Sequence, residues 1–191
     1  MGLGTIITLA VLVIIAVYAI TLYNGLVQIK HNVAKAWANI DVLLKQRHDE
    51  LPKLIETCKQ YMKFEQDTLT KVIEARSKVF SARESQNMPA LGQAETGMRA
   101  ALGSLFALAE SYPDLKANQT FQQLQTRISA LENAIADRRE FYNESVNINN
   151  VRIEQFPDVI VARMLSFKEA HLLEFTEEEK KDVDVKSLFN S

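Results

Sequence analysis

A chain of 191 residues is long enough for one domain plus an anchor and hardly long enough for two domains. With 22 Lys and Arg against 24 Asp and Glu the net charge is −2, so no basic excess points to nucleic acid, and no zinc-finger or basic-helix motif does so either. The single cysteine, Cys58, excludes an intramolecular disulfide, and six glycines and four prolines leave room for long helices and little for a sandwich or barrel.

The first element is apolar. From Thr5 to Leu22 nearly every residue is hydrophobic and none is charged. As a helix these roughly 18 residues are about 27 Å long, close to the hydrocarbon thickness of a bilayer. A cleaved signal peptide fits poorly: Met1-Gly2-Leu3-Gly4 has no basic residue and Ala16-Val17-Tyr18-Ala19 lacks the small-x-small spacing of a cleavage site. No cysteine stands nearby for a lipid anchor. Residues 1–23 are therefore expected to be a short N-terminus and a transmembrane helix. Lys30 and Lys35 follow the span and no Lys or Arg precedes it, which places the following domain on the cytoplasmic side.

Residues 24–156 are expected to form a helical bundle. Apolar positions at Leu26, Ile29, Val33, Trp37, Ile40 and Leu44, then Leu51, Ile55, Cys58, Met62, Leu69, Val72 and Val79, are spaced by threes, fours and sevens, the mark of one helix face. Arg47, Glu65 and Arg76 interrupt it. The phase holds across Pro52, so the pattern reads as one helix over 23–81 with a kink at Pro52. The alternative is two helices, the second capped by Asp49 with Pro52 in its first turn. A loop follows over 83–92, then a helix with Ala94, Met98, Ala101, Leu105, Leu108 and Tyr112 on one face. Pro113 stops it, a turn covers 113–118, and Asn118 is a good N-cap for the next helix. That helix carries Phe121, Leu124, Ile128, Leu131, Ile135, Tyr142, Val146, Asn149 and Ile153 in a bundle seam and ends at Phe156-Pro157.

The tail, 157–191, is less regular and is expected to pack on the bundle or to remain partly flexible. Val159–Phe167 is apolar, suited to a short helix or strand and too short to cross a bilayer. The sequence from Thr176 to Glu179 has capping-box spacing, with a solvated acidic tail as the alternative.

No arrangement of residues points to catalysis, a cofactor or a metal. The three histidines lie in no metal-binding motif, and there is no nucleophile elbow or phosphate loop. What stands out is charge on the apolar stripes. Arg47 takes a seam position in the first helix and Arg138 or Arg139 one in the third, with Glu132 and Asp137 near. Such arginines either snorkel or build a polar layer that fixes helix register, in which case Arg47 or Asp49 pairs with a charge on the 118–154 helix. Tyr23 sits where an interfacial aromatic is favoured, whereas Trp37, about 21 Å further along a helix, belongs to a core or a chain contact.

Several motifs resemble the LemA family. They are Tyr23-Asn24-x-Leu26-Val27, Val33-x-x-Ala36-Trp37, Ile40-Asp41-Val42-x-Leu44-Lys45-x-Arg47 and Asp49-x-x-Pro52-x-Leu54-Ile55, then the run from Glu110 to Asn118, Glu132, Arg139, Tyr142-Asn143 and Phe156-Pro157. The resemblance implies a bacterial, membrane-anchored, antiparallel helical bundle with a small extracytoplasmic N-terminus and no established enzymatic activity. One branch of the family is associated with magnetosome formation, which implies a role in membrane organisation. The chain departs from the family at Glu50, where an apolar residue is usual, and around Glu169-Ala170-His171, where a proline is common.

The expectation is thus an all-α, single-pass protein of the bacterial inner membrane, acting without catalysis as a scaffold or adaptor, or alternatively as a signal relay through a kinked helix. Tyr23, Trp37, Arg47, Asp49, Pro52, Glu132, Arg139 and Tyr142 are its candidate structural or interaction residues. The partners expected are the membrane and a protein, with a second copy of the chain as an alternative partner; no nucleic acid, cofactor or metal is expected.

Overall fold

The computed structural model describes residues 2–174. Six helices run in the order α1 (Leu3–Tyr61), α2 (Gln66–Glu84), α3 (Met88–Ala109), α4 (Pro113–Lys116), α5 (Gln119–Glu154) and α6 (Asp158–Met164), with no strand among the described residues. The all-α expectation holds. The capping-box sequence at Thr176 and the acidic tail lie outside the described residues.

The chain divides into two compact units. Among the described residues, one joins 2–39 with Arg138–Leu172, and the other joins Ile40–Asp137 with Leu173 and Glu174. In the first unit, α1 opens with the apolar segment. None of the residues in its most apolar 18-residue window is buried, which is what a lipid-facing helix requires and a core helix does not. Its polar atoms are satisfied internally: the hydroxyls of Thr5, Thr8 and Thr21 donate to the carbonyls of Gly2, Gly4 and Val17 at 2.7, 2.9 and 3.0 Å. Beyond it, Leu26 packs with Ile153 of α5 and Ala162 of α6, joined by Val161 and Phe167.

In the second unit four helices alternate in direction. Residues 41 and 48 of α1 meet 83 and 76 of α2, whereas residues 47, 50 and 61 meet 132, 127 and 118 at and along α5, so both neighbours run antiparallel to α1. The core is built from Ile40, Leu44, Leu51 and Leu54 of α1, Leu69 and Val72 of α2, Leu91, Met98 and Leu105 of α3, and Phe121 and Ile128 of α5, each at most 4% exposed. Burying one such side chain contributes about 1.5–3 kcal/mol.

The structure corrects two local expectations and rejects the alternative in which a helix starts at Asp49. The helix that was expected to run over 23–81 ends at Tyr61, and the chain reverses over 62–65. Met62 and Leu69, both buried, are seven residues apart, so the spacing of two helical turns carries the apolar count across the reversal. Met62-Lys63-Phe64-Glu65 holds no Gly or Pro to mark the break. Conversely, nothing starts at Asp49: Pro52 lies inside α1, which is helical on both sides of it. Finally, the loop expected over 83–92 is only Ser85–Asn87. Asn87 caps α3, accepting from the Ala90 amide at 3.1 Å, and Pro89 occupies the first turn, where its missing N–H costs nothing. The buried face of α3 is accordingly Met88, Leu91, Glu95, Met98, Leu102 and Leu105, with Ala94 and Ala101 on its shoulder. At the start of α5, Asn118 caps as expected, accepting from the Phe121 amide at 3.0 Å.

Candidate functional site

Three polar constellations stand out, two in the second unit and one in the first. The first is centred on Arg47, 1% exposed in the middle of α1. Its guanidinium donates through Nη1 and Nη2 to the Glu95 carboxylate of α3, a forked arrangement with one contact at 3.0 Å, and through Nη1 to Glu132 of α5 at 2.5 Å. Burial opposes the charge on Arg47, but the two carboxylates outweigh it and hold its pKa above the ordinary arginine value. Arg99 approaches Glu132 from the solvent side at 3.9 Å. One turn on, Glu50, 7% exposed, meets Arg127 of α5 at 3.3 Å and Lys53 at 3.4 Å. The residue that departs from the family pattern is thus accommodated by basic partners.

The second constellation surrounds Pro52. A proline within a helix has no N–H to offer the carbonyl four residues earlier, here that of His48. Arg76 of α2 fills the gap, with its Nε donating to the His48 carbonyl at 3.1 Å while its Nη2 lies 2.6 Å from His48 Nε2. An arginine beside Nε2 requires that nitrogen to accept, so the ring carries its proton on Nδ1. Burial, followed by the Arg76 charge, lowers the His48 pKa below 6.5. The imidazole lies on the Phe80 ring at 4.9 Å. Next to it Arg83 forms a fork with Asp41 at 2.6 and 3.0 Å.

The third is a latch in the first unit, where α5 holds the extended segment after α6. Asn150 accepts from the Ala170 amide and donates to the Ala170 carbonyl, each at 2.9 Å. Asn149 donates to the Lys168 carbonyl at 3.3 Å, and the Tyr142 hydroxyl to the His171 carbonyl at 2.9 Å. Arg152 and Asp158, the latter 4% exposed, join α5 to α6 at 2.9 Å.

The expected residues sort as follows. Arg47 and Glu132 meet, and the near-complete burial of Arg47 rules against snorkelling for it. Asp49 is exposed, so of the two candidates Arg47 makes the cross-helix pair. Trp37 stacks edge-on against Tyr142 at 6.0 Å, and Tyr23 does so against Phe167 at 6.2 Å. Arg139 takes the seam position at 2% exposure, while Arg138 is exposed and lies over the Phe141 ring. The sequence does not single out Glu95 or Asn150, and it shows Arg76 only as a charge interrupting the apolar stripe. Glu95 sits in step with Leu91, Met98 and Leu102, a signal hidden by reading 83–92 as loop.

Residues 36–187 match the LemA family. A protein named LemA from Metamycoplasma hominis is 30% identical over 168 residues, covering 87% of this chain and 75% of that protein. The chain belongs to the LemA family. Within it, the polar constellations all fall inside the matched residues, and the apolar segment precedes them. The chain is also 36% identical over 81 residues to a protein named magnetosome protein MamQ 2 from Paramagnetospirillum magneticum, and 35% identical over 79 residues to magnetosome protein MamQ from Magnetospirillum gryphiswaldense. These two matches cover 42% and 41% of this LemA-family chain, but only 30% and 29% of the relatives. It is a membrane-associated helical protein.

One further contact bears on the tail of the second unit. A Cβ added at Gly92 would stand 2.8 Å from the Glu174 carbonyl oxygen, a backbone atom. Leu173, beside it, is fully buried. Gly92→Ala is expected to favour α3 locally by up to ~1 kcal/mol while displacing Leu173 and Glu174. Amide exchange at these two residues should then accelerate about tenfold, equivalent to ~1.4 kcal/mol. Unchanged exchange would show that the close approach does not hold the tail.

Proposed function

We propose that the chain is a single-pass protein of the bacterial inner membrane, with its bulk on the cytoplasmic side, that acts without catalysis as a scaffold presenting helix surfaces to a protein partner. The observation that carries this reading is a groove of about 710 Å³ along α2 and α3. Its α3 wall is Ala90, Ala94, Gly97, Ala101 and Ser104, stepping by fours and threes, and its α2 wall includes Ala75 and Ala82, with Lys71, Glu74 and Lys78 on the rim. Small residues in heptad steps allow another helix to approach closely, and the rim charges supply orientation. Lys30 and Lys35 after the apolar segment support the cytoplasmic orientation. The relatives named as magnetosome proteins lend weight to a role in organising membranes.

The test is a photocrosslinker at Gly97 or Ser104, and at exposed Glu144 for comparison, in intact cells. The groove positions are expected to give one discrete adduct that Glu144 does not give. Filling the groove with Gly97→Leu, where a Cβ meets nothing within 4 Å, should abolish the adduct made at Ser104 without unfolding the chain. Equal labelling at all three positions would sink the reading. Protease added to spheroplasts should spare the domain; cleavage would overturn its orientation.

A relay reading is favoured by one observation, the capping of the Pro52-freed carbonyl by a residue of another helix. A helix opened at one carbonyl and closed by α2 is a joint that a partner is able to bias.

A further inference from the structure

Helix α6 has two apolar faces, and the protein covers only one. The inner face, Val161 and Ala162, packs with Leu26 and Ile153, and Phe167 just beyond α6 touches the Tyr23 ring. The outer face and its flanks leave Phe156 80%, Ile160 52%, Met164 77% and Leu165 54% exposed. Ile160 and Met164 stand four residues apart on one side of α6, and Phe156 and Leu165 flank the helix at its two ends. Four large apolar side chains exposed within ten residues are not scattered surface hydrophobes; such a patch marks a surface that is covered in use.

The position of α6 says what covers it. Tyr23 follows Leu22, the last residue of the apolar segment, and Leu26 is about 6 Å beyond Leu22 along α1 at 1.5 Å per residue. The headgroup layer on each side of a bilayer is of similar depth. Packing on Tyr23, Leu26 and Ile153 therefore holds α6 at the level where the hydrocarbon ends. Arg163 and Lys168 are exposed nearby, with Glu154 and Glu169, while Arg152 is engaged by Asp158. Basic and aromatic residues around an apolar face are the composition of an interfacial helix.

We propose that α6 is a second membrane contact: it lies in the interfacial layer of the bilayer that the 5–22 segment crosses, with Phe156, Ile160, Met164 and Leu165 at the boundary between headgroups and acyl chains and Arg163 and Lys168 at the lipid phosphates. This rests on the reading of the apolar segment as a membrane span. Continuity with that segment selects lipid as the occupant over a second copy or another protein.

The test places a nitroxide on the full chain in phosphatidylcholine–phosphatidylglycerol vesicles, by Met164→Cys, with Val13→Cys and Phe64→Cys as references. The native Cys58 stays in place: it is fully buried, and burial pushes its thiol up to about 12, so it does not take the label at neutral pH. Phe64, 94% exposed, reports water, and Val13 reports the span. The label at 164 is expected to collide with dissolved oxygen and to meet a water-soluble nickel chelate several-fold less often than the label at 64. If the label at 13 is lipid-exposed but that at 164 meets nickel as freely as that at 64, α6 lies in water and the proposal fails while the span stands. If the label at 164 is shielded from both reagents, protein covers the face and lipid is the wrong occupant. If the label at 13 itself meets nickel, the span reading fails and this proposal falls with it.

Discussion

Arg47→Met is expected to destabilise the second unit by about 3–5 kcal/mol, the cost of leaving buried carboxylates without their cation. Methionine keeps the apolar stem and removes the charged fork, so the effect is chiefly electrostatic. Arg47 holds helices α1, α3 and α5 through Glu95 and Glu132, which are 6% and 15% exposed. Without the guanidinium these two acids are left facing each other, with Arg99 reaching Glu132 only from the solvent side at 3.9 Å. Replacing all three together, with Arg47→Met, Glu95→Leu and Glu132→Leu, should recover most of the loss, because an apolar layer of similar volume replaces a desolvated charge layer. Denaturant unfolding followed by circular dichroism measures both. A single-variant loss below about 1 kcal/mol would place Arg47 among ordinary surface pairs and remove the register-fixing role assigned to it.

Arg76→Leu should cost about 1.5–3 kcal/mol in the native chain, the value of a charge-assisted hydrogen bond to a half-buried carbonyl, and much less in a Pro52→Ala background. The physical link is the His48 carbonyl. With alanine at 52 the helix supplies its own amide, so Arg76 no longer has an orphan acceptor to satisfy. The two substitutions should therefore be strongly coupled in a double-mutant cycle although they lie on different helices. Equal cost in both backgrounds would show that Arg76 acts only through His48 Nε2 and that Pro52 is indifferent to it. The same cycle bears on the relay reading. If Pro52→Ala stabilises the chain, keeps partner capture and yet abolishes function, the joint matters; if function is unchanged, a static scaffold suffices.

Legibility in the sequence followed the strength of the local signal. The seam from Phe121 to Ile153 was readable because one uninterrupted helix carries it, with an N-cap at Asn118 and a proline beyond its end. The apolar segment was readable because its composition alone sets it apart. The reversal at 62–65 was not, because tertiary packing makes it: Met62 and Leu69 enter one core from two helices, and Glu65 accepts from the Tyr112 hydroxyl at 3.2 Å rather than serving as a local cap. Pro89 misled for the opposite reason, since a proline at the start of a helix and one in a loop look alike until Asn87 is seen to cap. At the candidate site, Arg47 and Glu132 were visible as charges on apolar stripes. Arg76 was visible in the same way but without a partner, and Glu95 came into register only with the true start of α3.

The latch on α5 grips main-chain atoms only: the Lys168 carbonyl, both backbone groups of Ala170 and the His171 carbonyl. It is a clamp blind to side-chain identity. Residues 168–171 are thereby free to drift, or to be rewritten by an engineer, without loosening their seat, apart from a proline at 170, which would remove the one donor that Asn150 accepts. The departure of this chain at Glu169-Ala170-His171 from the usual family pattern need not alter how its tail is docked, and the invariants of such a tail are to be sought in Asn149, Asn150 and Tyr142, on the helix opposite.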